Sequence, residues 1–321
     1  MKRLRDGNNM KLDKIKIGVL GGGVSSEREI SLISAKQVYE VLASKGLDVV
    51  FIDIFTSLRE EVKETIEAHS LDLAFVALHG EFGEDGKVQS ILEELGIAYT
   101  GSRPRASYLA MDKVLSKTIF RKNRINTPGF FVCFDSDNIL YNSGYPVVVK
   151  PNFSGSSLGV SIVEKEGSLK RSVSEAFAYS NKVILEDYIE GKELTVGILD
   201  DEPLAVVEII PKKGYFDFNA KYDKGKASFI APAKLEPYIY KEVQRQAQAA
   251  YRALGCRHFC RVDIRLSKDN VPYVLEVNSI PGLTQGSLLP LSARACDIDF
   301  DELVLRMAEV ALYGQKETQK V

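Results

Sequence analysis

The sequence has no tryptophan, only three histidines and four cysteines, and no excess of charge of either sign. Four cysteines in 321 residues do not make a disulfide framework, so we expect a reduced, cytoplasmic protein. The 42 basic and 44 acidic side chains give a net charge of −2, which argues against a nucleic-acid or anionic-membrane binder because such proteins usually carry a basic excess. No stretch approaches the roughly 20 apolar residues that cross a bilayer. Any binding of phosphate must therefore be local.

The composition that is present, 45% hydrophobic and 27% charged, is typical of globular proteins. Residues 1–13 are charged and lack an apolar segment, so they predict a disordered leader rather than a secretory signal. Strands then alternate with helices. Ile15–Leu20 and Asp48–Ile54 read as strands, and a helix between them starts near Ser26, with Glu29 at the spacing of a capping box. This alternation predicts right-handed βαβ units and an open parallel α/β domain.

The second part of the chain has a different pattern. A single helix is predicted over Ala106–Asn123, followed by short strands around a Gly/Ser-rich turn. An antiparallel meander starts at Glu193, and a long amphipathic helix spans Pro237–Leu254. Two α+β lobes after one α/β domain give three units, although length alone suggests about two.

A small-residue loop, Ser154 to Gly159, directly follows a strand that ends in Lys150. Backbone N–H groups in such a loop can approach an anion closely, and a lysine at the strand end is a point charge suited to phosphate. The alternative is an ordinary flexible hairpin, which the glycines alone would explain equally well.

Four polar residues occupy two neighbouring strands near the C-terminus. Arg261 and Asp263 lie two apart and share a face, as do Glu276 and Asn278 on the next strand. Carboxylate and amide oxygens suit Mg²⁺, and two acids on one face would repel each other without a cation. The alternative is a surface cross-strand ion pair, but the apolar residues between them favour a metal site. The Cys256-x-His258-x-Cys260 spacing matches no common zinc pattern and predicts alternating side chains on a strand.

His79 follows a buried strand over Leu71–Leu78, at the sheet edge where open α/β proteins bind ligands. Glu27 lies in the loop after the first strand. The simpler alternatives are a polar turn for His79 and compensation of a helix dipole for Glu27. Gly21–Gly23 lacks the G-x-G-x-x-G spacing, which does not support a dinucleotide-binding fold.

Taken in order, these motifs resemble the D-alanine–D-alanine ligases of the ATP-grasp superfamily, over about residues 14–313. The resemblance implies an ATP-grasp fold of the α/β and α+β classes: an N-terminal open parallel α/β domain at 14–112, a central α+β lobe at 113–192 and a C-terminal α+β lobe with the metal site at 193–315. The motifs are GGVSSEREISL (22–32), HGEFGEDG (79–86), MDK (111–113), KPNFSGSSLGVS (150–161), EDYIEGKE (186–193), AKY (220–222), CRVDIR (260–265) and LEVNSIPGLTQGSLLP (275–290).

The activity implied by the resemblance is the ATP-dependent joining of two D-alanines through an acyl phosphate, for peptidoglycan synthesis. It implies small-molecule substrates, two Mg²⁺ ions with Mn²⁺ as the alternative, and a homodimer. Three alternatives remain open: another ATP-grasp carboxylate–amine ligase, a D-alanine–D-lactate ligase, and a non-catalytic nucleotide-binding regulator. The phosphate loop departs from the family pattern, which has an acidic residue before its first glycine. Lys221-Tyr222 is intact and favours dipeptide formation.

The resemblance also implies a role for individual residues. In the nucleotide site, the expected phosphate ligands are Lys113, Lys150 and Lys221, and Ser156 and Ser157 lie in a loop that closes over the phosphates. Glu186, Asp187, Tyr188 and Ile189 are expected to face adenine, and Glu193 to bind ribose. The expected metal ligands are Asp263, Glu276 and Asn278. In the amino-acid site, Glu27 and His79 are expected to bind the first D-alanine, and Ser287 and Leu288 are expected to bind the carboxylate of the second. Arg261 and the Gly282 N–H would stabilise the oxyanion. Tyr222, Ser156 and Glu27 would close the site, together with a lid around 215–229.

Overall fold

The computed structural model describes residues 12–139, 141–211 and 227–318, and these residues contain three β-sheets. The sheets follow one another along the chain, and helices pack against each of them. Short 3-10 turns precede the first strand at Leu12–Lys14 and follow the second sheet's edge strand at Glu166–Ser168. The predicted fold class, parallel α/β followed by α+β, is confirmed.

The first sheet is parallel, with the strand order β2-β1-β3-β4. The inner strands β1 and β3 are buried almost along their whole length, because helices cover the faces, as expected for parallel sheets, whereas the edge strand β2 is mostly half-buried. The predicted βαβ units are confirmed. Their elements are β1 (Lys16–Gly22), α1 (Arg28–Ser44), β2 (Asp48–Ile54), α2 (Arg59–Glu67), β3 (Leu73–Val76), α3 (Lys87–Glu94) and β4 (Ala98–Tyr99).

The start of α1 differs from the prediction. The helix begins at Arg28, and Glu27 occupies the N-cap position without a side-chain capping bond, so the capping box at Ser26 is wrong. Ser25 organises this turn instead: its hydroxyl accepts from the Glu27 N–H at 3.1 Å and donates to the His79 carbonyl at 2.8 Å. The turn is therefore held to the end of the neighbouring strand, and Glu27 is left beside His79.

The helix predicted over Ala106–Asn123 is in fact two helices, α4 (Pro104–Met111) and α5 (Lys113–Lys122). Asp112 separates them, because its backbone is extended (ψ 102°) and its carboxylate accepts from the Leu115 N–H at 2.9 Å. An aspartate in this position satisfies an otherwise unpaired N–H group of the new helix. The break places Lys113 at the first position of α5.

The second sheet is antiparallel, in the order β5-β8-β6-β7, with α6 packed on it. Valines that alternate along the strands fill its core, including Val147 and Val149. The elements are β5 (Phe130–Cys133), β6 (Val147–Pro151), β7 (Ser161–Val163), α6 (Leu169–Phe177) and β8 (Val183–Asp187).

The third sheet is antiparallel and has the order β11-β10-β9-β12-β13. The bounds of its first three strands in chain order lie close to those predicted for the meander, and the long helix begins and ends at its predicted residues. The elements are β9 (Gly191–Leu199), β10 (Glu202–Pro211), β11 (Ala227–Ile230), α7 (Pro237–Leu254), β12 (Phe259–Ser267), β13 (Pro272–Asn278), α8 (Leu288–Arg294) and α9 (Phe300–Thr318).

Two features of this region were not predicted. The short helix α8 has a proline at its third position and is buried on most sides, so its sequence lacks the polar face that marks a surface helix. The strand β12 begins only at Phe259, so Cys256 and His258 precede it; the predicted alternation along a strand is wrong for these two residues.

In the described ranges, no helix combines the length and apolar composition that crossing a bilayer requires. One sheet lies in each of the three predicted units, except that β9 begins at Gly191, two residues before the predicted boundary. The domain boundaries themselves stay a prediction.

We expect Asp112→Ala to lower the free energy of unfolding by about 1 kcal/mol, because it removes the cap of α5. Urea denaturation would measure the change. The matched control is Asp269→Ala at an exposed turn, where we expect a change within about 0.5 kcal/mol. Equal effects of the two substitutions would contradict the capping role.

Candidate active site

Two adjoining cavities lie between the sheets. The first is a cleft of about 940 Å³, counted with its open mouth, between the second and third sheets. The second, of about 740 Å³, lies between the first sheet's loops and the third sheet. Gly155 lines both cavities, and a Cβ there would lie 2.9 Å from a Glu27 carboxylate oxygen. The glycine therefore allows the loop to approach Glu27 where the cavities meet.

The predicted cluster on β12 and β13 lies at this junction. The antiparallel register sets Asp263 opposite Glu276 and Arg261 opposite Asn278, which confirms that they share a face. The Arg261 guanidinium makes two bonds of 2.9 Å to the two oxygens of the Asp263 carboxylate. The two side chains are only 11% and 14% exposed, so this is not a surface ion pair.

Asp263 has further partners. The Asn278 amide donates to it at 3.0 Å and the Thr195 hydroxyl at 2.7 Å. Thr195 stands opposite Asp263 on β9 and was not predicted as part of the site. Glu276 lies 3.4 Å from the Lys113 ammonium. Each acid of the pair is thus accompanied by a cation of the chain itself.

These residues fit a divalent cation by the chemistry of their donors. Two carboxylates and one amide oxygen are the hard ligands that Mg²⁺ prefers, and Mg²⁺ usually completes its coordination with water and phosphate oxygens. Within the described ranges, no group of three or more His, Cys, Asp or Glu side chains is arranged to hold a metal. Asp263, Glu276 and Asn278 would leave coordination positions of an octahedral Mg²⁺ for water and phosphate oxygens.

Two predicted lysines reach the first cleft from different elements. Lys113 comes from the first turn of α5 and donates to the Ser154 carbonyl at 2.7 Å. Lys150 is the buried penultimate residue of β6 and donates to Glu186 on β8 at 2.7 Å. A third lysine, Lys117, lies 2.5 Å from the other oxygen of Glu186 and was not predicted.

The electrostatics of these lysines follow from burial. Burial lowers the pKa of Lys117, and the positive charge of Lys150 acts in the same direction, although Glu186 opposes both. Burial alone would raise the pKa of the Glu186 carboxyl, but the two lysine charges lower it overall. Glu186 is therefore held as a carboxylate.

The small-residue loop is tied to α5. The Asn152 side chain accepts from the Val114 N–H at 2.8 Å, and its carbonyl accepts from the Lys113 N–H at 3.2 Å. Ser156 and Ser157 both have positive φ values, 51° and 58°. Consecutive residues in this unusual conformation are typical of functional loops that turn several groups toward one point.

The segment that joins β8 to β9 forms the far wall of the cleft. Glu186 to Ile189 and Glu193 all line it, as the resemblance implied. Arg265 fixes this segment by donating to the Ile189 carbonyl at 3.1 Å and the Gly191 carbonyl at 2.9 Å. Arg265 was not predicted, although it continues the face of Arg261 and Asp263 at the same two-residue spacing.

The second cavity brings together residues from three distant segments. It is lined by Glu27, His79, Ser156, Arg261, Gly282, Ser287 and Leu288, all of which the sequence had singled out. Ser287 occupies the N-cap position of the short helix α8 without a side-chain capping bond, and its hydroxyl bonds instead to the backbone N–H and the hydroxyl of Thr284 at 3.1 and 2.8 Å. A Cβ on Gly282 would lie 2.9 Å from the Ser287 hydroxyl, so only glycine fits against it without movement.

His79 connects the first sheet to the loop after β13. Its Nδ1 lies 3.1 Å from the Ile280 carbonyl, which can only accept, so Nδ1 carries the proton. Nε2 then accepts from the Ser34 hydroxyl at 2.9 Å. Glu84, to which the sequence analysis assigned no role, lies 3.7 Å from Nδ1. The pKa of its carboxyl is raised, chiefly because the group is buried. Contact with His79 lowers this pKa, and the negative charge of Glu27 raises it.

Two predicted site residues, Lys221 and Tyr222, lie outside the described residues, as does most of the lid predicted over 215–229. Its last residue, Phe229, is described and lines the second cavity. Each of the remaining predicted site residues lies on the wall of one of the two cavities.

Comparison with known proteins gives a consistent result. Residues 133–309 match the model of the D-ala D-ala ligase C-terminus, and residues 55–102 match that of its N-terminus. The D-alanine–D-alanine ligase of Geotalea uraniireducens is 42% identical over 308 residues, which cover 94% of this chain and 98% of that protein. The enzyme of the same name from Clostridium beijerinckii is 43% identical over 296 residues, 90% of this chain and 96% of that one.

A solved structure agrees along nearly the whole chain. The D-alanine–D-alanine ligase from Bacillus anthracis complexed with ATP superposes with a TM-score of 0.83 at 37% identity, covering 95% of this chain and 99% of that one. The chain belongs to the D-alanine–D-alanine ligase family.

Proposed function

We propose that the protein joins two D-alanine molecules into D-alanyl-D-alanine at the expense of ATP, for peptidoglycan synthesis. The observation that carries the proposal is the meeting of two cavities at one cluster, Arg261, Asp263 and Asn278. A nucleotide in the first cavity and amino acids in the second would have their reacting atoms side by side there. The relatives named as D-alanine–D-alanine ligases, one of them solved with ATP, support this choice of substrates.

Nucleotide binding is assigned to the first cleft. Lys113 and Lys150 neutralise the phosphates, and the loop with Ser156 and Ser157 covers them. Lys221, which lies outside the described residues, is assigned to the phosphates by the family resemblance. The Glu186–Ile189 segment contacts adenine and Glu193 the ribose. In phosphoryl transfer most of the catalysis comes from such positioning and charge neutralisation.

A divalent cation is part of the proposal. Asp263, Glu276 and Asn278 would hold two Mg²⁺ ions, with Mn²⁺ as the alternative, and the ions would neutralise charge on the transferred phosphate. The protein's own contribution is to fix these oxygens: Arg261 and Thr195 orient Asp263.

The second cavity is assigned to the amino acids. Glu27, beside His79, binds the ammonium group of the first D-alanine, whose carboxylate oxygen attacks the γ-phosphorus and releases ADP. The second D-alanine, its carboxylate held at Ser287 and Leu288, attacks the acyl carbon with its unprotonated amine and displaces phosphate, and the proton that the new amide nitrogen loses is taken up by the departing phosphate. Arg261 and the Gly282 N–H stabilise the oxyanion that forms. Ser156, Tyr222 and Glu27 close the site and keep out water, which would hydrolyse the acyl phosphate.

The proposal extends to assembly and location. The family resemblance supports a homodimer, which size-exclusion chromatography with light scattering would detect. All four cysteines are free, in keeping with a reducing, cytoplasmic environment.

The decisive experiment measures phosphate release from ATP with and without D-alanine. We expect release that depends on D-alanine and a dipeptide product detected by mass spectrometry. Preferential incorporation of D-lactate at neutral pH would show an ester-forming ligase instead. ATP binding without any release that depends on D-alanine would indicate a regulatory protein.

We expect Glu276→Gln to reduce turnover by about 100-fold or more, since even residues that merely support metal ligands contribute 10- to 100-fold. The fold should remain, because Gln has the same shape and Lys113 keeps its bond to Ser154. Steady-state kinetics would be compared with Glu67→Gln at the exposed end of α2, where no change is expected. Near-normal activity of Glu276→Gln would refute the metal assignment.

A further inference from the structure

Lys117 is a lysine with no exposed side-chain surface, on the face of α5 that is turned toward the second sheet. Its ammonium lies 2.5 Å from one oxygen of Glu186, while Lys150 binds the other oxygen at 2.7 Å. The Glu186 and Lys150 side chains are 2% and 9% exposed. One buried carboxylate is therefore shared between two buried ammonium groups.

This arrangement is not what stability alone would favour. Lys150 and Glu186 by themselves would form a neutral pair, whereas a second ammonium adds an uncompensated charge. Burying a charge costs free energy unless it is fully paired, and replacing buried ionic groups by apolar ones is often neutral or stabilising. The extra cation therefore calls for a reason other than stability.

The partners of Lys117 indicate what it does. Besides Glu186, its ammonium donates to the Thr127 hydroxyl at 2.6 Å, and Thr127 in turn donates to the Val274 carbonyl on β13. Lys117 thereby connects β8 of the second sheet with the segment that is bonded to the third sheet. Both walls of the nucleotide cleft meet at this one side chain.

Lys117 also changes the charge at the base of the cleft. If Lys150 alone faced Glu186, its positive charge would be largely cancelled. Because the carboxylate is divided between two ammonium groups, the cluster of Lys117, Lys150 and Glu186 keeps a net charge of +1. A positive charge that faces the cleft through Lys150 favours an anionic ligand.

We propose that Lys117 is a positioning residue for ATP: it holds Glu186 in place and leaves the ammonium of Lys150 oriented and charged in the nucleotide cleft. The inference rests on the proposed function, because it takes the ligand of this cleft to be a nucleotide phosphate. Lys117 itself touches no ligand and acts through Glu186.

The test replaces Lys117 by methionine, which is similar in length and has no charge. Isothermal titration calorimetry with ATP and Mg²⁺, without D-alanine, should show a dissociation constant raised about tenfold or more, a factor that corresponds to about 1.4 kcal/mol. In steady-state assays the loss should fall on the KM for ATP, with less than about threefold change in kcat and in the KM for D-alanine. Unchanged ATP affinity in folded Lys117→Met would overturn the proposal.

Lys122→Met on the same helix is the matched control, because Lys122 is exposed. The ATP affinity of this variant should equal that of the unmodified protein. Equal losses in both variants would mean that helix content, and not the cluster, is responsible. Circular dichroism and a thermal melt establish that each variant is folded.

A second comparison separates action through Glu186 from a general packing effect. Glu186→Gln is expected to weaken ATP binding by itself, because neither ammonium group is then held by the carboxylate. Adding Lys117→Met to it should cause no further loss, since Lys117 acts through Glu186. A further loss of more than about threefold would show that Lys117 acts independently and would overturn the proposal. Both variants of this comparison lack the Glu186 carboxylate, so it does not depend on the single Lys117 variant being folded.

Failure of the proposed function would look different. The unmodified protein would then bind no ATP in the calorimeter, or would release no phosphate upon addition of D-alanine. Tight ATP binding together with an unaffected Lys117→Met variant would overturn only the role of Lys117.

Discussion

A carboxylate taken out of water loses several kilocalories per mole of hydration energy unless a cation or several hydrogen-bond donors replace the water. The site depends on this constraint. Asp263 is compensated by Arg261 and two neutral donors, Glu276 by Lys113, and Glu186 by two lysines. Apart from Arg261 and Asp263, which lie on the same strand, these groups come from different elements, so the charges that serve the chemistry also hold the walls of the cleft in register.

The pairing has a further consequence for the nucleotide cleft. The candidate metal ligands Asp263 and Glu276 lie on β12 and β13, while the two predicted phosphate-binding lysines, Lys113 and Lys150, come from α5 and β6. An anion with a divalent cation would therefore meet carboxylates and lysines that different elements supply. The near-neutral total charge of the chain gives no hint of this separation, because the two sets cancel in the sum.

Much of the architecture was accessible from local patterns. Alternating apolar residues fixed the faces of β12 and β13, and the predicted ends of β2 and α7 match those observed. The break at Asp112 was missed because both flanking segments are helical, and only the cap at Asp112 reveals the interruption. The helix α8 was missed because it is buried on most sides, so the periodicity that marks a surface helix is lacking.

The residues singled out in the site divide in the same way. Motif spacing was enough to name Arg261, Asp263, Glu276 and Asn278, because a strand has a period of two and the pairing of adjacent strands does the rest. Lys117 and Glu84 were beyond sequence reasoning. A lysine four residues along a helix from another lysine usually lies in solvent, and only the packing of α5 against β8 buries this one beside Glu186.

The sequence by itself determined the strands, most helices, the loop of small residues and the set of polar side chains with matching spacing, since each depends on neighbours a few residues away. The tertiary structure alone decided which of these residues share a cavity. His79 contacts Ile280, which lies 201 residues further along the chain, and Lys117 on α5 contacts Glu186 on β8. Contacts of this kind depend on how sheets and helices pack, and that is set by the burial of the whole apolar surface rather than by any local pattern.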